Sequence, residues 1–148
     1  MTVHEDTIGA ISTPSGAAER GIARLSGPDA VGISSRLFEA APGEPGIEEV
    51  RRGVVRGVVG GAAWAAATSA KAWVMRGPRS YTGEDIVELH LPGSPSLLRR
   101  VVALVLSFGA RAASAGEFTR RAFQNGRMDL AQAEAVCALI HATSEAER

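Results

Sequence analysis

Carboxylates and arginines, more than histidines or thiols, are the groups with which this chain could do chemistry. Its 148 residues hold one cysteine, Cys137, and three scattered histidines, His4, His90 and His141. A lone thiol forms no internal disulfide, and dispersed histidines lack the spacings of a zinc site. No serine or cysteine stands in a local nucleophile signature, and Cys137 falls on an apolar helical stripe, where it reads as core. Glu88 is the most informative carboxylate. It lies in residues 86–91, where Val87, Leu89 and Leu91 alternate with Ile86, Glu88 and His90. Either that second face is open and Glu88 is half exposed, or it is covered and the carboxylate must be paired, because a buried unpaired charge is too costly. A desolvated carboxylate offers two acceptors to a flat heterocycle with adjacent N–H donors. Arg24, in the middle of residues 21–26, is by the same logic an ion-pair partner or a ligand clamp. Six arginines against Glu117 alone give residues 99–127 a net charge of +5, which suits solvated helix faces or a footprint for phosphate.

Several functions are excluded at this level. A nucleotide-hydrolysing loop needs Gly-Lys-Ser/Thr so that lysine reaches the phosphates. Gly16 and Gly21 have the outer spacing, but Ile22 and Ala23 follow, and the only lysine, Lys71, sits between alanines. The chain is therefore expected neither to bind nor to hydrolyse GTP. Sixteen basic and sixteen acidic residues cancel, so net charge decides nothing about partners. The longest strongly apolar run, residues 101–106, is far short of the roughly 18 a membrane span needs. With Glu5 and Asp6 near an amino terminus that lacks a basic residue, a soluble, cytoplasmic protein without membrane attachment is expected.

The elements that must hold Glu88 and Arg24 follow from periodicity. Strands are predicted over 7–12, 21–26, 53–60, 73–75 and 86–91, with turn chemistry at 13–16 and a loop at 41–46. Residues 62–70 are ambiguous between helix and strand. Pro28 opens a helix whose stripe is Ala30, Ile33, Leu37 and Phe38. Pro92-Gly93 is predicted to stop the last strand. The clearest helix runs over 96–108, with Leu97, Leu98, Val101, Val102, Leu104, Val105 and Phe108 apolar, and Val101, Leu104, Val105 and Phe108 facing Val87 and Leu89. A short helix covers 117–124. Asp129 and Gln132 have capping-box spacing before a last helix with the stripe Leu130, Ala133, Cys137 and Ile140, expected to stay exposed as a sticky surface. The fold class is α+β: a mixed β-sheet packed with helices over residues 1–116, then a short all-helical tail over 117–148.

Three strings carry a resemblance. Residues 6–14 (DTIGAISTP) with 21–27 (GIARLSG), 78–90 (PRSYTGEDIVELH), and 116–123 (GEFTRRAF) continuing through 126–135 (GRMDLAQAEA) resemble the amino-terminal part of the TrmE/MnmE family of tRNA-modification GTPases. The resemblance implies an aminomethyltransferase-like folate-binding and dimerisation domain over 1–116 and the beginning of a helical domain over 117–148. It also implies 5-formyltetrahydrofolate or a related tetrahydrofolate as cofactor, no metal, and folate contacts at Arg24, Glu88 and Arg127. The last is usually lysine in the family, so charge is kept while hydrogen-bond geometry changes. Implied partners are a second copy of the chain, a flavin-dependent protein, and tRNA modified at the wobble uridine through the assembled complex. Two loops depart from the family pattern, residues 15–21 and the run Leu91-Pro92-Gly93-Ser94. They leave open an alternative, a non-catalytic dimerisation or interaction scaffold with a decayed folate pocket. A stand-alone one-carbon transferase would need a substrate domain for which this chain has no length.

Overall fold

The computed structural model describes residues 4–13, 18–60 and 67–146. The turn expected at 13–16 and the alanine-rich stretch 62–70 fall largely outside them. Seven strands, β1 (Ile8–Ile11), β2 (Ala18–Ser26), β3 (Phe38–Ala40), β4 (Arg52–Val59), β5 (Thr68–Met75), β6 (Ile86–Gly93) and β7 (Arg111–Ala112), form one sheet in the order β3-β4-β5-β6-β2-β1-β7. It is mixed: β1 and β7 run parallel and every other pair is antiparallel. Among the described residues four α-helices accompany it: α1 (Ala30–Ser35), α2 (Pro95–Ser107), α3 (Glu117–Gln124) and α4 (Leu130–Ala146). The molecule is α+β with a helical carboxy-terminal end. No helix among the described residues is long and apolar enough to cross a membrane.

The register puts Val87 between Leu25 and Val74, and Leu89 between Ala23 and Ala72, so one sheet face is continuously apolar. On it lies α2, started by Pro95 and by Ser94, whose hydroxyl accepts the Leu97 N–H. Leu98, Val101 and Val105 are its buried positions. Two glycines let it close on the sheet. A Cβ on Gly21 would meet Leu98 Cδ1 at 2.4 Å, and one on Gly9 would meet Val105 Cγ1 at 3.0 Å. Leu104 and Phe108, expected to face Val87 and Leu89, are instead half-buried, and the Arg36 guanidinium lies 4.0 Å from the Phe108 ring centroid. The helix therefore meets the sheet along the 98/101/105 line: Val101 and Val105 of the expected stripe are buried, Leu98 joins them, and Phe108 packs at the margin of the core.

Two further expectations are corrected. The first helix ends at Ser35, and Phe38 opens β3, paired with Val59. Leu37 and Phe38 are both buried, but at the sheet edge, where an aromatic fits a pleated surface better than a frayed helix end. Residues 92–93 do not stop β6, which pairs with β2 through Gly93. Pro92 lies beyond the last β5–β6 pair, Lys71 with His90, so its missing N–H falls on an open edge.

Candidate functional site

The opposite face of the sheet carries the chemistry. Arg24 on β2 and Glu88 on β6 are register partners, so strand pairing alone brings them side by side. Arg24 Nε donates to Glu88 Oε2 at 2.7 Å and its Nη2 lies 2.6 Å from the same oxygen. His90 Nε2 stands 3.2 Å from Glu88 Oε1. Glu88 is thus covered and paired, the second of the two states open to it from the sequence. Three of the roughly four acceptor directions of a carboxylate are engaged. The His90 ring lies against Trp73, centroids 5.4 Å apart, and its buried Nδ1 has no hydrogen-bond partner among the described residues.

A cavity of about 650 Å3 opens next to Arg24, between the ends of β1 and β2, residues 113–116, α3 and α4. That volume lies within the roughly 300–1,000 Å3 of small-molecule sites. Ile11, Phe118, Val136 and Ile140 supply apolar walls, Tyr81, Thr119, Ser12 and Ser114 supply hydroxyls, and Arg24 is the only charged lining residue among those described. The Arg24 guanidinium lies 5.5 Å from the Phe118 ring centroid, a cation–π contact that orients it. Because Glu88 neutralises Arg24 from behind, the cavity suits a polar, flat, uncharged ring better than a free anion. Arg127 lies outside this lining. Its Nε donates to the Ser80 carbonyl at 2.9 Å, and its methylenes lie over Gly83. The structure therefore joins Arg24 to Glu88 and leaves Arg127 apart from them.

Two helices shape the far wall. Asp129 and Gln132 form the expected capping box: the Asp129 N–H donates to Gln132 Oε1 at 2.9 Å, and the Gln132 N–H to Asp129 Oδ1 at 2.7 Å. The stripe of α4 is not the open sticky surface expected. Ala133 is buried, Cys137 and Ile140 are half-buried, and of the four only Leu130 is exposed. Gly116 begins α3 at φ +74°, and a Cβ there would come within 3.2 Å of Cys137 Sγ, so a residue with no side chain lets α4 close the cavity.

Behind Tyr81 sits a charge cluster that residue spacing did not reveal. Arg121 of α3 is fully buried. Its Nη1 donates to both Glu84 oxygens at 3.2 Å and to the Asp6 carbonyl at 2.9 Å, and its Nη2 donates to Asp6 Oδ1 at 2.7 Å. Ser26 Oγ donates to Glu84 Oε1 at 2.7 Å and shares a hydrogen bond with Thr82. Arg111 engages Asp6 and Glu117. The Arg111 bond, opposed by burial, holds the Glu117 carboxyl down to about 2. The cluster fixes the 80–84 loop, and the Tyr81 hydroxyl then meets Thr119 Oγ1 at 2.8 Å across the cavity wall. It also weakens the phosphate-footprint reading of residues 99–127, because Arg111 and Arg121 neutralise internal carboxylates.

Residues 7–127 match the family described as GTP-binding protein TrmE N-terminus. The chain belongs to that family. Its relatives include proteins named tRNA modification GTPase MnmE from Geobacter sulfurreducens (49% identical over 142 residues), Symbiobacterium thermophilum (48% over 141) and a strain of Thermus thermophilus (46% over 144). These alignments cover 96, 95 and 97% of this chain but only 31, 31 and 33% of the relatives. The chain spans about a third of the length of the curated relatives it matches. In this TrmE-type chain the family match extends past α3, the helix that carries Arg121.

Proposed function

We propose that this chain is the folate-binding, dimerising amino-terminal module of a cytoplasmic tRNA-modification system acting on the wobble uridine, with residues 117–148 beginning its helical domain. The observation that carries the reading is Arg24, which lines a 650 Å3 cavity with aromatic and apolar walls and is paired with Glu88, itself outside that lining. The site fits a reduced pterin in kind: Phe118 and Tyr81 offer ring surfaces, and Glu88 uses three of about four carboxylate acceptor directions on Arg24 and His90. A second N–H donor from a ligand would take the place of His90 or of one Arg24 N–H. The bound tetrahydrofolate supplies a one-carbon unit; the chain's own residues bind and orient it and keep water from it. Arg24 holds the Glu88 carboxylate in place. Arg127 would meet a polar or anionic group of the ligand only by leaving the Ser80 carbonyl. A flavin-dependent partner protein and tRNA complete the system, and GTP hydrolysis belongs outside these residues, since no Gly-Lys-Ser/Thr loop is present.

One observation favours the scaffold alternative. Both oxygens of Glu88 are already engaged, and Arg127 turns elsewhere. Calorimetric titration of the chain with 5-formyltetrahydrofolate separates the two readings. Binding is expected, and Glu88→Gln, which exchanges an acceptor for a donor, should weaken it by tens- to a hundredfold, about 2–3 kcal/mol. Equal binding by Glu88→Gln refutes the site. No binding by a folded wild-type chain refutes the cofactor and leaves the scaffold.

A further inference from the structure

Where β4 begins and β5 ends, four arginines gather that lie 28 residues apart in sequence at the extremes, Arg51, Arg52, Arg76 and Arg79. Strand register brings them together. Arg52 at the start of β4 pairs with Met75 at the end of β5, and the Arg76 N–H donates to the Arg51 carbonyl at 2.9 Å. With Gly77 and Pro78 they line a cleft of about 300 Å3 that has no carboxylate in its lining among the described residues. Two of the side chains are anchored. Arg52 Nη1 donates to the Arg79 carbonyl at 2.8 Å, and Arg76 donates to Asp85 Oδ2 and to the Glu48 carbonyl, both at 3.2 Å. The nearby Asp85 carboxylate is occupied, taking Arg76 on one oxygen and the Gly77 N–H on the other. Arg51 and Arg79 are exposed, and neither has an ion-pair partner among the described residues. Glu48 and Glu49 stand on the adjoining 3-10 turn but do not line the cleft.

With Arg76 compensated by Asp85, the guanidinium groups of Arg51, Arg52 and Arg79 still share one opening and concentrate positive potential there, which an anion relieves. Guanidinium forks match phosphate oxygens two at a time. The cleft lies at the small end of ligand pockets and has no aromatic wall, so it takes a charged unit, not a ring system. We propose that Arg51, Arg52, Arg76 and Arg79 form a contact for the phosphodiester backbone of RNA, separate from the Arg24 cavity, with which it shares no lining residue. The choice of RNA over a small polyanion rests on the tRNA-modification reading. The contact positions the nucleic acid and reads no bases, because nothing in the cleft offers a base edge a stacking or hydrogen-bonding surface beyond guanidinium.

The test measures anisotropy of a labelled unmodified tRNA against the chain from low to moderate salt. The double variant Arg51→Ala/Arg79→Ala removes two exposed charges without ion-pair partners; Arg99→Ala/Arg120→Ala removes two exposed charges elsewhere and controls for net charge. The first should lose affinity about ten- to a hundredfold, with the slope of log affinity on log salt reduced by about 1–2, while the control changes little. Equal losses in both variants, no loss in the first, or no tRNA binding by the wild-type chain at low salt would each overturn the proposal. So would inorganic tripolyphosphate competing as tightly as tRNA, which would reassign the cleft to small polyanions. Titrating 5-formyltetrahydrofolate into the same variants keeps the two readings apart: the cleft variant should bind it as the wild type does, and a chain that binds tRNA through the cleft but no folate would refute the cofactor alone.

Discussion

Replacing Arg121 by methionine removes the one cation that serves Glu84 among the described residues, while roughly keeping the length of the side chain. Glu84 is 2% exposed and Arg121 0%. Without the guanidinium, the carboxylate keeps a single charge-neutral side-chain donor, Ser26 Oγ, inside a site that excludes water. Breaking a buried ion pair from one side costs about 3–5 kcal/mol. The Nε of Arg121 already lacks a partner among the described residues, so some of the burial cost disappears with it, and about 3–4 kcal/mol is expected. For a chain of this size that lowers Tm by about 6–16 °C. Urea unfolding followed by circular dichroism should show a lower midpoint at an unchanged slope. The double variant Arg121→Met/Glu84→Gln removes the stranded charge, and it should be more stable than the sum of the single losses predicts by about 1–2 kcal/mol. A single variant within about 1 kcal/mol of wild type, or strict additivity in the double, would refute the argument that this pair is a desolvated and mutually dependent one.

Other outcomes follow from the same geometry. Glu117 is held below its ordinary value of 4.5, at about 2, chiefly by Arg111. Its contribution is present in full above about pH 4.5 and is lost as pH falls toward 2. Arg111 is 51% exposed, so solvent screening leaves about 1–2 kcal/mol, and Glu117→Gln should flatten that acid limb of Tm against pH; an unchanged limb would refute it. A Cβ at Gly57 would fall 2.1 Å from the Glu39 carbonyl oxygen and 2.7 Å from Phe38 Cζ, so Gly57→Ala should push β3 off the sheet and cost about 1–3 kcal/mol. Gly32 in α1 has nothing within 4 Å of that position, and Gly32→Ala should stabilise by about 0.4–1 kcal/mol. A raised urea midpoint for Gly57→Ala would refute the first assignment, and a lowered midpoint for Gly32→Ala the second.

The features legible from the residues alone are those that local chemistry controls. Alternation over 86–91 placed Glu88 opposite the apolar face of its strand, and the spacing of Asp129 and Gln132 specified a capping box that forms as expected. Ser94-Pro95 started α2, and resemblance over three strings was enough to assign the family. Each of these depends on residues a few positions apart, or on recognition of a contiguous string. Tertiary structure decided everything that depends on which distant residues meet. Phe38 left the helix because Val59 offered a sheet partner, and α2 turned its 98/101/105 line inward because Gly9 and Gly21 left room there. The +5 run of residues 99–127 lost weight as a phosphate footprint once Asp6 and Glu84, more than 30 residues upstream of Arg121, came to meet it. The arginine cleft arose instead from Arg51, Arg52, Arg76 and Arg79, joined by the register of β4 on β5. Charge and burial energies depend on distances of a few ångströms, which sequence periodicity constrains within one element and leaves free between elements.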